Sequence, residues 1–432
     1  AFAGRTSKGN TNVAQFMEPH LARGELTILA ESSPERFQKL REEAPTFASQ
    51  FRVVPVPDLT DRETLPVLLG ALRELESNQG STGIRLSPAA LESVLQLTRR
   101  FLAHDAFPGK AVRLLKAVTS KDASVTGQRL DVQHVFAAFR RQTGLPAFIL
   151  GEQRARTRQQ IESDLSGMVV GQPDAIAAVS DVILSMQQGL SDPEKPLGTF
   201  LFVGPTGVGK TETAKALATY LFGNASRLLR FDMSEFSTPW SITRLVGSPE
   251  EPEGELTVAL RTQPFCVILF DEVEKAHPRV FDALLQLLGE GRITDATGRT
   301  ADARQSVIIM TSNLGVREAA SRTGFLTRDE GEARTHYVSA AQRFFRPEFF
   351  NRIDRVVPFH SLGPAALRAV VEHALTDLLG RRGIQRGNVL VDVEPELLDL
   401  LVEQAFDPRY GARPLKRALE RRLTVPLAHH PV

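Results

Sequence analysis

Three features are scarce in this sequence of 432 residues: cysteine, net charge and long apolar runs. The single cysteine, Cys266, excludes a disulfide within the chain. Its place in an apolar run predicts a buried, inert thiol in a reducing cytoplasm. Lys and Arg number 52 against 51 Asp and Glu, so no nucleic-acid partner is expected. No stretch reaches the roughly 18 apolar residues of a membrane span, so none is expected.

The length exceeds what one hydrophobic core supports, and two to four domains are expected. Apolar residues make up 42% and charged residues 24% of the chain, as in ordinary globular proteins. The chain opens without a methionine or a signal-peptide core and closes without an evident helix cap. We therefore expect a piece of a longer protein.

The first third of the chain is predicted to be mostly helical. Residues 1–57 have the pattern helix, strand, helix, strand, with the strands at "ELTILA" and "FRVVPVP". Residues 58–143 carry apolar side chains three and four apart, which is typical of helices. Ser87 followed by Pro88 predicts the start of one of these helices.

From about residue 168, short apolar runs alternate with helical patterns. The runs "TFLFVG", "LLRFDM", "FCVILFDE" and "QSVIIMTSN" are continuous, as expected of strands buried on both faces of a parallel sheet. Between them "TETAKALATYLFG" predicts a helix that ends at Gly223. After "RVVPFHSLG" the pattern is helical again. The fold class is therefore α/β, a parallel sheet flanked by helices, with additional helical domains.

A glycine-rich segment, "GPTGVGKT", follows the first of these strands and precedes a helix. It fits the phosphate-binding pattern G-x-x-x-x-G-K-[ST] at Gly204, Gly209, Lys210 and Thr211. Glycines let the backbone close around phosphate oxygens, and the helix N-terminus adds partial positive charge. Lys210 can reach the β- and γ-phosphates, while the Thr211 hydroxyl can bind Mg²⁺.

Polar residues follow two other predicted strands. Asp271 and Glu272 end "VILFDE" at the sheet edge where α/β proteins bind ligands. Asp271 would hold Mg²⁺, mostly through water, and Glu272 would take a proton from the attacking water. Asn313 ends "IIMTSN" and could orient that water. These positions predict hydrolysis of a nucleoside triphosphate.

Further cations are candidates for stabilising charge on the phosphates. Arg346 and Arg352 lie in "FRPEFFNRID", and Arg413 precedes a helix that opens with Pro414. A phosphate in a glycine-rich loop needs such additional cations when its bond is cut.

These motifs fall in one order, and from about residue 150 to 430 the chain resembles the second ATPase module of the Clp-type AAA+ ATPases. This is the ClpA, ClpB and ClpC group of protein unfoldases. The resemblance implies a P-loop AAA+ fold with helical lid domains, ATP and Mg²⁺ as cofactors, and a homohexameric ring that binds ATP between subunits. Protein clients or adaptor proteins would be its partners.

The resemblance also implies residue roles. Glu272 would be the catalytic glutamate, Asn313 the sensor beside the γ-phosphate, Arg352 the finger that reaches a neighbour's ATP, and Arg413 the lid arginine. Thr211 and Asp271 would hold the metal. "VVGQ" would line the adenine pocket. The implied nucleotide-binding residues are Val169, Val170, Gly204, Pro205, Thr206, Gly207, Val208, Gly209, Lys210, Thr211, Glu212 and Asp271.

On the same resemblance the chain divides into five parts. They are the remnant of a first AAA+ large subdomain (1–57), its helical lid (58–143), a linker (144–167), a second large subdomain with the ATP site (168–360) and its truncated helical lid (361–432). The first module has no P-loop, and Ser49 and Gln50 stand where the family carries arginine fingers. We therefore expect it neither to bind nor to hydrolyse ATP normally. The short linker also leaves no room for the long coiled coil of disaggregases.

Two short segments depart from the family in the second module. Thr323 of "TGF" replaces the aliphatic residue of the tripeptide with which protease-partnered relatives dock, which argues against a peptidase partner. "SPEEPEGE", residues 248–255, stands where the family carries a channel loop with a tyrosine that grips polypeptide. Its glutamates would hold unfolded chain weakly. Trp240 is predicted to be a buried helix anchor, with a substitute gripping residue as the alternative.

Two functions fit these features. The first is an ATP-driven protein remodeller of the Clp type. The second is a nucleotide-switched scaffold, an assembly or regulatory module that hydrolyses ATP without threading protein. A DNA-acting motor is disfavoured by the balanced charge.

Overall fold

The computed structural model describes residues 13–32, 34–78, 85–102, 105–120, 129–151, 155–248, 253–295, 298, 300–316, 330–381, 393–405 and 411–426. The helices are α1 (Val13–Ala22), α2 (Pro34–Glu43), α3 (Pro45–Ser49), α4 (Asp61–Asn78), α5 (Pro88–Phe101), α6 (Gly109–Thr119), α7 (Val132–Thr143), α8 (Ala147–Leu150), α9 (Arg158–Ser166), α10 (Pro173–Gln188), α11 (Lys210–Phe222), α12 (Ser241–Val246), α13 (Glu255–Thr262), α14 (Pro278–Glu290), α15 (Glu330–Phe344), α16 (Pro347–Phe350), α17 (Pro364–Leu379), α18 (Pro395–Ala405) and α19 (Arg413–Leu419). The strands are β1 (Arg85–Leu86), β2 (Arg129–Leu130), β3 (Gly198–Val203), β4 (Leu228–Asp232), β5 (Val267–Asp271), β6 (Arg292–Thr294), β7 (Thr300–Asp302), β8 (Val307–Ser312) and β9 (Arg355–Pro358).

A parallel five-stranded sheet with the order β4-β5-β8-β3-β9 forms the centre of the molecule. Every residue of β3, β5 and β8 is buried, as the continuous apolar runs predicted. Successive side chains of a strand point to opposite faces. Phe200 and Phe202 accordingly belong to the core on one face, and Leu201 and Val203 to the core on the other.

Two helix boundaries predicted from the sequence are confirmed. α11 ends at Gly223, which has a left-handed φ of 72° and donates its N–H to Thr219 O. In the first third, Ser87 caps α5 by accepting the Ala90 N–H at 3.2 Å. Cys266 is fully buried, and burial raises the pKa of its thiol to about 12. The α/β prediction and the inert thiol are both confirmed.

Two predicted strands are wrong. Residues 25–30 and 51–57 form neither strand nor helix, and they are largely exposed, with Leu29, Val54 and Val56 at 102%, 72% and 88%. A strand needs a neighbouring strand to complete its hydrogen bonds. The described residues offer no such partner to either segment, so their apolar, β-branched composition alone does not produce a sheet.

The helices within residues 144–167 share one core with the preceding helix α7 and with the sheet. Phe139 of α7, Phe148 of α8 and Ile161 of α9 are buried in the same cluster as Phe222 of α11. A Cβ on Gly144 would lie 2.7 Å from Phe222 O, so the backbones are in close contact there. The segment predicted to be a linker thus carries buried residues.

The last helices, α17, α18 and α19, have their own core, formed by residues such as Leu367, Leu375, Leu401 and Leu415. Residues 323–325, the "TGF" segment, and 249–252 of the acidic segment lie outside the described residues. Among the described helices, none combines the length and apolarity needed to cross a bilayer.

Candidate nucleotide-binding site

The segment from Gly204 to Gly209 turns between the end of β3 and the start of α11. Gly204, Gly207 and Gly209 have φ of 147°, 72° and 109°, conformations that side chains rarely adopt. A Cβ on Gly204 would stand 2.5 Å from Phe359 O. Glycine is therefore favoured by conformation at all three positions, and at Gly204 also by the close approach of the backbone.

Lys210, at the first position of α11, extends back under this loop. Its ammonium, with three hydrogens to donate, lies within hydrogen-bond distance of four oxygens: Gly204 O at 2.5 Å, Pro205 O at 3.0 Å, Ser312 O at 3.0 Å and Asn313 Oδ1 at 2.8 Å. The pKa of Lys210 is lowered to about 8, chiefly by burial and also by the Arg413 charge, against the opposing effect of the carboxylates of Glu274, Asp271 and Glu272. The predicted lysine and asparagine are therefore in direct contact.

Asp271 lies at the carboxyl end of β5 and is only 6% exposed. Its Oδ1 accepts the hydroxyl of Thr311 at 2.5 Å, and its Oδ2 accepts Arg230 Nη2 at 2.7 Å. A buried carboxylate is stable only when it is paired or hydrogen-bonded in this way. Neither Thr311 nor Arg230 was predicted, because each meets Asp271 from a neighbouring strand.

Glu272 follows Asp271 in an unusual backbone conformation. Its φ of 55° makes it the single non-glycine residue with positive φ among the described residues, and such conformations concentrate at functional sites. Its N–H donates to Thr311 Oγ1 at 3.0 Å. Its carboxylate pairs with Lys275 and raises the pKa of that lysine. The side chain is thus held at the sheet edge by the backbone turn and by one cation.

Glu274 is a residue of the site that was missed. Its Oε1 accepts the backbone N–H of Asn313 at 3.0 Å, while its Oε2 is buried without a hydrogen-bond partner among the described residues. Among the carboxylates that raise the pKa of Lys210, that of Glu274 has the largest effect. The available signal was a third acidic residue in "DEVEK", two positions after Glu272.

The "VVGQ" segment reaches the glycine-rich loop through Gln172. Gln172 is 1% exposed, donates to Val208 O at 3.0 Å and to His360 O at 2.9 Å, and accepts the His360 N–H at 3.2 Å. Val169 is buried and Val170 is partly exposed. This amide therefore ties the end of the "VVGQ" segment to the loop; the segment was predicted to line the adenine pocket, with Val169 and Val170 named as its binding residues.

The end of the chain also contacts the loop. Ala412 N–H donates to Gly207 O at 3.0 Å, and a Cβ on Gly411 would stand 2.7 Å from both Thr206 O and Gly207 O. Arg413, exposed at the start of α19, is close enough to act on the pKa of Lys210. Arg413, predicted to be the lid arginine, therefore lies near the loop lysine.

Arg352 lies elsewhere. Asp354, two residues later, donates its N–H to Thr199 O at 3.1 Å and accepts the Thr199 N–H at 2.7 Å, so this segment sits at the amino end of β3. The loop begins at the carboxyl end, about 17 Å away at roughly 3.3 Å per residue. Arg352 is exposed and Arg346 pairs with Asp282 at 3.3 Å.

The oxygen atoms at the sheet edge fit Mg²⁺. Mg²⁺ takes one or two carboxylates together with phosphate oxygens and keeps several waters. Asp271 supplies a buried carboxylate, the Thr211 hydroxyl lies at the N-terminus of α11, and the unpartnered Glu274 Oε2 can accept from a metal-bound water. The donor set therefore agrees with the ion that nucleotides carry.

Comparison with known proteins assigns the family. A profile of the AAA domain (Cdc48 subfamily) matches residues 195–356, and one of the C-terminal, D2-small domain of ClpB protein matches residues 362–432. An S. cerevisiae Hsp104–ADP complex superimposes with a TM-score of 0.80 at 32% identity, covering 98% of this chain and 73% of that one. The chain belongs to the Clp/Hsp104 family of AAA+ ATPases.

A second Hsp104 structure and two curated relatives have similar sequence identities to this chain. An S. cerevisiae Hsp104:casein complex has a TM-score of 0.72 at 31% identity, covering 96% of this chain and 72% of that one. The Clp protease ATP-binding subunit ClpC of Staphylococcus aureus (strain USA300) is 31% identical over 490 residues, covering 96% of this chain and 59% of ClpC. The corresponding ClpA homolog of Porphyra purpurea is 32% identical over 502 residues, covering 98% and 60%. The chain thus spans about three fifths of these curated relatives, and the family confirms the AAA+ fold and nucleotide binding.

Proposed function

We propose that this chain hydrolyses ATP with Mg²⁺ between adjacent copies of a homohexameric ring and uses the cycle to remodel protein clients. The observation that carries the proposal is that the predicted catalytic residues lie at two opposite edges of the sheet. Lys210, Asp271, Glu272 and Asn313 gather at the carboxyl edge of the sheet, whereas Arg352 lies a strand's length away at the amino edge. A finger there cannot serve its own loop, so it would serve the next subunit.

Nucleotide would bind along the glycine-rich loop. The backbone N–H groups of residues 204–209 and the N-terminus of α11 would hold the phosphates, with Lys210 on the β- and γ-oxygens. Val169 and Val170 would contact the base. Because Ala412 already bonds Gly207, the lid would sense an occupied loop directly, and Arg413 would contribute a further cation.

Hydrolysis would use groups already in place. Glu272 would accept the proton of the attacking water, for which it must exchange its contact with Lys275 for one with that water. Asn313 would orient the water, and the finger of the neighbouring subunit would stabilise charge on the transferred phosphoryl group. Mg²⁺, held by Thr211 and Asp271, would neutralise the phosphates.

An exposed tryptophan supports a protein client. The prediction that Trp240 is buried is wrong: it is 79% exposed, because it precedes α12 on a turn whose buried anchors are Phe236 and Leu245 instead. Arg244 lies 4.6 Å from the Phe236 ring centroid and pairs with Glu235, which fixes the turn. An aromatic side chain displayed in this way suits contact with unfolded chain, and a relative, S. cerevisiae Hsp104, has been solved with casein.

The scaffold is the second candidate. The acidic sequence at residues 248–255 has no aromatic residue, and the first module, residues 1–143, contains no P-loop. Both features fit a ring whose nucleotide state alters partner binding without threading. We keep the cytoplasm as the expected location, and the sequence of "TGF" continues to argue against a peptidase partner.

Measuring ATP turnover with and without an unfolded client distinguishes the protein remodeller from the scaffold. If the chain remodels proteins, an unfolded protein raises its ATPase rate, and a tagged fluorescent protein loses its signal in the presence of ATP. Turnover that no client alters, together with nucleotide-dependent binding of a partner, would instead establish the scaffold. A folded chain that neither cleaves Mg-ATP nor assembles with nucleotide would refute both.

A further inference from the structure

The guanidinium of Arg352 occupies the place where a side chain at position 289 would begin. Gly289 lies in the last turn of α14. A Cβ built on it would stand 1.7 Å from Nη1, 2.7 Å from Cζ and 3.5 Å from Nε of Arg352. Contacts between heavy atoms are favourable at about 3.5–4.0 Å. Any residue larger than glycine therefore excludes the guanidinium from this position.

The backbone gives no other reason for a glycine here. Gly289 is helical and is absent from the glycines with positive φ, whereas its neighbour Gly291 has a φ of 60° and ends the helix. Glycine inside a helix is less stable than alanine, because it loses more conformational freedom on folding. The space left for Arg352 is thus the feature that alanine would remove.

The backbone of Arg352 is fixed by different contacts. Phe349 of α16 packs edge-on against Phe281 of α14 with ring centroids 5.1 Å apart, and the Arg352 N–H donates to Phe349 O at 3.1 Å. A side chain at position 289 would therefore first meet the side chain of Arg352, whose backbone is held by these other contacts. The C-terminal end of α14 also carries partial negative charge, which favours a cation at this point.

We propose that Gly289 is a positioning residue for Arg352: its missing side chain forms a notch at the end of α14 that holds the guanidinium in the orientation in which it meets the neighbouring subunit's nucleotide. The inference rests on the proposed role of Arg352 as a finger. Because Nη1 is the far end of a flexible side chain, an alanine would displace Arg352 without disturbing the core.

The test is Gly289→Ala in the full chain, with Gly70→Ala as the matched control. Gly70 is also a helical glycine, in α4, and a Cβ there meets nothing within 4 Å. We expect Gly289→Ala to lower kcat about a hundredfold, less than the roughly 10³–10⁵ that arginine fingers contribute, because the guanidinium is displaced and not removed. ATP affinity should be unchanged, and Tm should be equal or higher. Gly70→Ala should raise Tm without lowering kcat. A loss of kcat accompanied by a lower Tm in Gly289→Ala would overturn the proposal.

A double-mutant cycle separates this inference from the proposed function. If Gly289 acts through Arg352, Gly289→Ala has no further effect on kcat in an Arg352→Ala chain. If Arg352→Ala is inactive but Gly289→Ala hydrolyses ATP at the wild-type rate, Gly289 does not position Arg352, while the role of Arg352 as a finger is supported. Should the wild-type chain show no turnover, modification by phenylglyoxal decides: Arg352 must react faster in Gly289→Ala than in wild type, and equal rates would contradict the notch.

Discussion

The two ends of strand β3 differ in how completely each is built within one chain. At the carboxyl end, Lys210 lies within hydrogen-bond distance of the glycine-rich loop, Ser312 O and Asn313 Oδ1, and Glu274 accepts the Asn313 N–H. At the amino end, Arg352 is exposed and rests on the glycine notch. On the proposed function, the carboxyl end binds the nucleotide of its own chain, whereas the amino end would contribute Arg352 to the site of a second copy.

Removing the contribution at the amino end is expected to have the largest effect. Arg352→Ala should lower kcat about a thousandfold, the low end of the range for arginine fingers, because no other cation replaces it at the neighbour's nucleotide. The affinity for ATP should change little. Single-turnover and steady-state assays measure both quantities. Arg346→Ala is the matched control, since Arg346 pairs with Asp282 on the surface. An unchanged rate in Arg352→Ala would locate the finger elsewhere.

At the carboxyl end, Glu272→Gln should separate binding from chemistry. The amide cannot accept the proton of the attacking water, so hydrolysis should fall by about 10²–10⁴, while ATP binding is retained and holds the ring together. Nucleotide binding, phosphate release and size-exclusion chromatography test the three statements. Hydrolysis at the wild-type rate would show that Glu272 is not the base.

Substitution of Glu274, which was not predicted and lies at the same end, should have a smaller effect on kcat. Glu274→Ala leaves the Asn313 N–H without its acceptor, and a lost hydrogen bond to a charged group costs about 1.5–3 kcal/mol, or roughly tenfold or more in kcat. Glu274→Gln keeps an oxygen at Oε1 and should recover most of that loss. If alanine and glutamine variants are equally impaired, the charge of Glu274 matters and the hydrogen bond does not.

Much of the fold and part of the site could be predicted from the sequence. What could be predicted and what could not differ for a physical reason. The buried strands and the glycine-rich loop are encoded in contiguous residues, so pattern alone identifies them. Gln172, Glu274 and Gly289 act through contacts with residues 188, 39 and 63 positions away. Such contacts exist only once the sheet brings distant segments together. The two wrongly predicted strands show the converse, because a local pattern needs a partner strand.

Lys210 should make the ATP affinity of the carboxyl end of β3 depend on pH. Its charged form binds phosphate, and burial lowers its pKa to about 8. Affinity for ATP is therefore expected to be full below this value and to weaken, by at most about tenfold per pH unit, as pH rises from 8 to 9. Removing the Glu274 carboxylate should move the midpoint to lower pH. Titration of a fluorescent nucleotide from pH 7 to 9 tests this, and a flat profile would contradict it.

Trp240 should have the smallest effect on the site itself. Trp240→Ala is expected to leave basal ATPase and Tm unchanged, because the side chain is 79% exposed, while stimulation by an unfolded client declines. Leu190→Ala, with a side chain 78% exposed, is the control. Trp240 is the one tryptophan of the chain. Binding of a tryptophan-free client should therefore shift the fluorescence emission of Trp240 to the blue. No shift at saturating client would favour the scaffold.

The most direct measurement is the ATPase rate of a mixture of two inactive chains, Glu272→Gln and Arg352→Ala. If nucleotide is cut between subunits, an Arg352→Ala chain beside a Glu272→Gln chain has its own glutamate and its neighbour's arginine, and one complete site forms at their contact. The mixture is then expected to hydrolyse ATP well above the summed rates of the separate variants. A mixture that assembles into joint rings yet stays at that sum would show that the two ends of β3 do not cooperate across subunits.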